Sequence, residues 1–274
     1  MRGTFYLSRS AGLALLVIVA LTAGARPESL SCPGNPEALG VSRVIEIDPS
    51  GGPRYGTYQY PTTLPLEPKE VVLTFDDGPD PKRTPKVLDA LDHHCVKGTF
   101  FEVGRWAEAY PEITKEVVDR GNTLGSHSWS HPPNLGHILL ERAEQEIDRG
   151  FAAVKQASGG RVAPFFRYPG LNDSKKLNDY LAESGIAVIS CDIGTDDWMN
   201  IGANSIVKRT LARLKQHGNG IILLHDRKAA TVKALPLLLD ELKERGYRVV
   251  QIVPKAAGGI ASLKEPVLQG PPTP

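Results

Sequence analysis

The sequence predicts an α/β fold in which parallel strands are covered by outer helices, either closed as a small barrel or open as a doubly wound sheet. Two observations predict it. Short apolar runs alternate with amphipathic stretches across residues 70–253, and four of those stretches stop at a glycine just before the next run. A third observation places the chemistry. Asp, His and Arg residues follow the runs at their C-terminal ends, the edge where parallel α/β folds build their sites.

The runs at 71–75, 98–103, 123–126, 165–168, 186–190, 221–224 and 247–252 read as buried strands. Spread over 70–253, they average about 26 residues per unit, near the size of one compact βα repeat. Between them, Leu140, Ala143, Ile147, Phe151 and Val154 recur at helical spacing, as do Val232, Leu235, Leu239 and Leu242. Val207, Leu211 and Leu214 make a third stripe, with Asn204 as the expected N-cap. Glu141, Glu144, Glu146 and Asp148 read as a solvated helix face. The steps Arg120-Gly121, Ser184-Gly185, His217-Gly218 and Arg245-Gly246 mark helix-to-strand returns, because glycine takes the left-handed C′ conformation without a Cβ penalty.

The chain has 274 residues, 41% hydrophobic and 23% charged, with a net charge of +1. That balance excludes a strongly basic nucleic-acid protein and an acidic disordered chain. No segment reaches the roughly 18 unbroken apolar residues of a membrane span. Arg2 and Arg9, an apolar stretch over 11–23 and then Ala23-Gly24-Ala25 describe a secretory signal over residues 1–25. The expected destination is therefore periplasmic or extracellular, with an uncleaved anchor as the alternative. Residues 26–69, rich in Pro and Gly, are expected to form an extended arm over the domain at 70–253, and 254–274 a flexible tail. Cys32, Cys95 and Cys191 offer either one disulfide plus a free thiol or three inert thiols; the apolar runs beside Cys95 and Cys191 favour the second.

Asp76-Asp77-Gly78-Pro79, His127 with His131 four residues on, Arg167, Asp197-Trp198 and His225 trail five different runs. Two histidines at that spacing can reach one metal from a short stretch of chain, and a carboxylate from another strand completes an open, catalytic type of site. Adjacent strand-end carboxylates point in different directions, so one can bind a metal while its neighbour acts as a base. His93, His94, His137 and His217 lie near helix ends and read as surface histidines, and Trp106 as packing. Trp129 and Trp198 are candidate sugar-stacking walls.

In order, Thr74-Phe75-Asp76-Asp77-Gly78-Pro79, His127-Ser128-Trp129-Ser130-His131, Arg167-Tyr168-Pro169, Asp197-Trp198 and Ile222-Leu223-Leu224-His225 resemble the five motifs of the polysaccharide deacetylase family. The resemblance covers about residues 70–253 and implies a distorted (β/α)7 barrel. It implies Asp76 as general base paired with Arg167, Asp77, His127 and His131 as ligands of one divalent metal, and His225 as general acid oriented by Asp197. Trp198, Leu224 and Tyr168 would border the substrate. The third motif departs at its fourth place, usually Tyr and here Gly170. The family uses that residue's backbone N–H toward the oxyanion, which glycine still supplies, but the aromatic wall is gone.

The implied activity is metal-dependent removal of N-acetyl groups from N-acetylglucosamine-containing glycans, with zinc preferred and cobalt, nickel or iron compatible with the same donors; a monomer is expected. O-deacetylation of xylan or an exopolysaccharide and a silent glycan-binding barrel are the alternatives. A mononuclear iron oxygenase would use the same triad but leaves the second Asp and His225 without roles.

Overall fold

The computed structural model describes residues 38–255 together with Met1, Cys32 and Asn35. The expected signal segment and nearly all of the expected tail lie outside the described residues. In chain order the elements are β1 (Val41–Ile47), β2 (Arg54–Tyr55), β3 (Glu70–Asp76), α1 (Thr84–His93), β4 (Thr99–Glu102), α2 (Gly104–Ala109), α3 (Pro111–Asp119), β5 (Thr123–Ser126), α4 (Leu140–Ala157) and β6 (Phe165–Phe166). They continue with α5 (Lys175–Glu183), β7 (Ala187–Ile189), β8 (Ile193–Gly194), α6 (Ala203–His217), β9 (Gly220–His225), α7 (Ala229–Glu244) and β10 (Arg248–Pro254).

Each strand pair is parallel, and the strands run β8-β9-β3-β4-β5-β6-β7 with β10 also against β3. Period-2 alternation sorts the side chains onto two faces. Val71, Leu73, Phe75, Phe100, Ile222, Leu224 and Val249 face the helices, packed with Leu88, Leu91, Leu235 and Leu239. Val72, Phe101, Phe165, Ile221, Val250 and Ile252 pack together on the other face, the interior of the strand array. The four predicted returns hold, with Gly121, Gly185, Gly218 and Gly246 all at positive φ. The expected N-cap at Asn204 does not: α6 begins two residues earlier, at Ala203, with Gly202 in the cap position.

The arm is the main difference from expectation. Residues 41–47 form a strand parallel to β10, and Arg54 and Tyr55 pair with Val188 and Ile189 of β7. Ile45, Ile47 and Leu64 sit in the inner core, so this segment completes the fold rather than lying over it. Polar Arg43, Glu46 and Asp48 between apolar residues, and the surrounding Pro and Gly, hid the strand signal.

Cys32 is bonded to Cys95 just past α1, and Cys191 is a buried free thiol whose pKa burial pushes up to about 12. Two of the three cysteines are therefore paired, against the inert-thiol reading. A contact across 63 positions leaves no local trace in sequence. His94 is likewise buried, 3.7 Å from Asp240, rather than on the surface.

Candidate active site

The site grows out of the C-terminal ends of the strands. On β3 the inward positions are Val72, Thr74 and Asp76, so the same alternation that buries Val72 delivers Asp76 to the rim. Simple alternation would turn Asp77 away. Instead Asp77 adopts φ +76°, which swings its carboxylate back to the same side. Non-glycine residues hold this conformation only where surrounding structure enforces it, commonly at functional sites. As a result Asp76 Oδ2 and Asp77 Oδ1 lie 3.8 and 3.7 Å from the same atom, His127 Nε2.

His127 follows β5, and its backbone N–H donates to Glu102 O, extending the strand register. Its Nδ1 lies 2.7 Å from Arg167 O. A carbonyl only accepts, so Nδ1 carries the proton and the Nε2 lone pair faces the carboxylates. Burial pushes the His127 pKa down to about 4, which keeps the ring neutral and ligand-competent.

His131 arrives through a loop, not a helix, with Ser128 and His131 both at positive φ. Glu146 of α4 anchors that loop by accepting from Ser130 N and Oγ at 2.7 and 2.8 Å. It is thus a positioning group and not part of a solvated face. Gly150, one turn on, lets α4 approach so closely that a Cβ there would sit 2.6 Å from Ser128 C.

Asp77, His127 and His131 offer ligand atoms all within 4.8 Å of one another, with His131 Nε2 at 3.2 Å from Asp77 Oδ1. Asp77 Oδ1 is buried without a hydrogen-bond partner, a costly state that a cation would relieve. Burial would raise the Asp77 pKa, but His225, His127 and His131 outweigh it and hold the carboxyl below its ordinary value. The donor set, two neutral imidazoles and a carboxylate, fits a divalent metal.

Arg167, just beyond β6, is fully buried, and each of its guanidinium nitrogens is hydrogen-bonded. It donates from Nε to Ile189 O, from Nη1 to Thr74 Oγ1 and Asp76 Oδ1 (2.8 Å), and from Nη2 to Ser190 O. A buried charge is stable only when paired and hydrogen-bonded like this. Across β3, His225 ends β9 with Nδ1 2.7 Å from Asp197 Oδ1, while Asp197 Oδ2 accepts from His225 N and Thr231 Oγ1. Burial alone would lower the His225 pKa; the Asp197 bond and the Asp197, Asp77 and Asp76 charges override it and push it up to about 9.

Asp76, Asp77, His127, His131, Asp197 and His225 border one cavity of about 870 Å³ that also takes in Tyr168, Gly170 and Trp198, while Arg167 is buried behind it. Two expected walls are not there. Leu224 faces the helices in the outer core, and its neighbour Leu223 lines the cavity instead, because consecutive strand residues face opposite ways. Trp129 does not border it either; the Arg149 guanidinium lies 3.5 Å from its ring centroid. Sequence reading also missed Tyr58 and Gln59, which line the cavity from the segment after β2. No residue in that segment carries a local signal for chemistry.

A family model described as polysaccharide deacetylase matches residues 63–189. The chain is 32% identical over 200 residues to a peptidoglycan-N-acetylglucosamine deacetylase of Bacillus cereus, covering 71% of each protein. It is 29% identical over 195 residues to a chitooligosaccharide deacetylase of a Bradyrhizobium species, covering 66% of this chain and 88% of that one. Among solved structures, a peptidoglycan deacetylase of Bdellovibrio bacteriovorus superposes with a TM-score of 0.71 at 32% identity, over 79% of this chain and 59% of that one. The chain spans 47% of the length of some other curated relatives it matches.

Proposed function

The chain belongs to the polysaccharide deacetylase family, and from that premise we propose that it hydrolyses N-acetyl groups on an N-acetylglucosamine-containing poly- or oligosaccharide. One observation carries the reading. The buried, unpartnered Asp77 Oδ1 faces two histidine nitrogens, with an Arg-paired carboxylate and an Asp-paired histidine on the same cavity.

Asp77, His127 and His131 would hold one divalent ion, which we assign as zinc for its mixed N/O donors and lack of redox chemistry; when bound, it acidifies a water and polarises the acetamide carbonyl. Asp76 is the general base. Its Oδ1 is engaged by Arg167, which fixes the carboxylate and leaves Oδ2 on the cavity side, near His127, to take the water proton. The Gly170 N–H contributes a neutral donor to the oxyanion, an interaction worth about 3 kcal/mol where measured. His225 donates its Nε2 proton to the departing sugar amine as the C–N bond breaks, while Asp197 holds the ring and stabilises its cationic form. Acetate and a free amine are the products. Trp198 and Leu223 border the acetyl group.

Export fits this substrate. The Cys32–Cys95 pair belongs to an oxidising compartment, in line with a signal over residues 1–25 and action in the periplasm or outside the cell. Among the described residues no helix is long and apolar enough to cross a membrane.

Acetate release from N-acetylglucosamine oligomers, peptidoglycan and acetylated xylan, with and without chelator, tests the proposal. Release from the amide-bearing glycans, lost with chelator and restored by zinc, is expected. Release from xylan alone would reassign the bond to an ester, and no release by the metal-loaded protein would leave a silent glycan-binding barrel.

A further inference from the structure

We infer that Tyr58, in the segment joining β2 to β3, is a sugar-binding platform of this cavity, so that the substrate reaches past the reacting sugar to at least one neighbouring ring. The inference rests on the glycan reading of the site. Among the described residues only two Phe, Tyr or Trp rings remain exposed, Tyr58 at 69% and Trp198 at 61%, and both line the cavity that holds the metal ligands. Single exposed apolar side chains are ordinary; two exposed aromatics, both on one catalytic cavity, are not a scatter. At about 870 Å³ the cavity lies in the upper part of the range for ligand sites, with room beyond one reacting group.

The platform is held rigidly. Tyr58 N–H donates to Cys191 O at 2.9 Å, and Thr57 donates from N and Oγ1 to Asp192 Oδ1 at 2.7 and 2.8 Å. On the other side Gln59 donates to Leu171 O and accepts from Ser190 Oγ, both at 2.7 Å. Gly56 sits at φ +112° so close to β7's exit that a Cβ would fall 2.6 Å from Cys191 N. The backbone is therefore fixed before any ligand arrives, which cuts the entropy lost on binding. A pyranose offers an apolar C–H face ringed by hydroxyls, and a tyrosine ring matches it with a flat apolar face and a polar tip.

Tyr58→Ala and Tyr58→Phe test this in the zinc-loaded protein, through affinity for the glucosamine pentamer, which has no acetyl group to lose, and through acetate release from N-acetylglucosamine itself and its pentamer. The Ala variant should bind the glucosamine pentamer about 5- to 10-fold more weakly and raise KM for the acetylated pentamer equally, more than for the single sugar. The Phe variant should recover most of that affinity. Equal losses on the single sugar and the pentamer, Phe as damaging as Ala, or no pentamer binding by the unmodified protein would each overturn the platform. Tyr58-dependent binding without acetate release would sink the deacetylase reading and leave the platform standing. Acetate release with binding indifferent to Tyr58 would do the reverse.

Discussion

His127 after β5 and His225 at the end of β9 line one cavity, the first buried and the second partly exposed, and their pKa values are driven apart, to about 4 and about 9. The difference lies in what each Nδ1 meets. For His127 it is a backbone carbonyl, which orients the ring but adds no full charge, so burial wins. For His225 it is the carboxylate of Asp197, whose charge survives burial because Thr231 and a backbone N–H also hold it. A metal ligand must offer a lone pair and a general acid must hold a proton. One residue type suits both proposed roles because its second nitrogen is paired differently.

Breaking the first half of this comparison has the largest expected effect. His127→Ala removes a buried ligand, and metal content after dialysis should fall below one equivalent with activity at background; a variant still holding a full equivalent would refute the ligand assignment. Next come the two proton-transfer groups. Asp76→Asn and His225→Ala should each lower kcat by about 10²–10⁴-fold while keeping the metal, measured by initial rates and metal analysis. Full activity in either rejects its role.

The smallest effect sharpens the second half. With His225 raised above its ordinary value, the proposed acid is protonated at neutral pH, and activity should fall as pH rises through the folded pKa of about 9. A bound divalent cation moves that limb downward. Asp197→Asn removes the charge that raises the pKa, so the alkaline limb of the kcat profile should shift to lower pH by about one unit or more. A limb that stays in place would show that another group titrates there.

Much of the site was legible before any coordinates. Asp76, His127, Arg167, Asp197 and His225 follow apolar runs that are strands in the fold, and parallel strands must end on the same edge. Leu224, placed at the substrate by the resemblance, belongs to the outer core because a motif does not fix which way each of its residues faces. In a strand the next residue faces away, so Leu223 lines the cavity and Leu224 the outer core. Glu146 was unreadable for a different reason: its partner Ser130 lies 16 residues away, and nothing in an acidic helix face marks the one carboxylate that turns inward.

Local signals carried the parallel α/β class, the glycine-ended helices and the polar residues that gather at one edge, since periodicity, backbone propensity and short motifs act within a few residues. The entry of residues 41–55 into the sheet, the Cys32–Cys95 bond, the left-handed turn that brings Asp77 beside Asp76, and the seat of Tyr58 were decided by the folded chain alone. Each is stabilised by groups distant in sequence, and such contacts acquire their energy only once the rest of the barrel is in place.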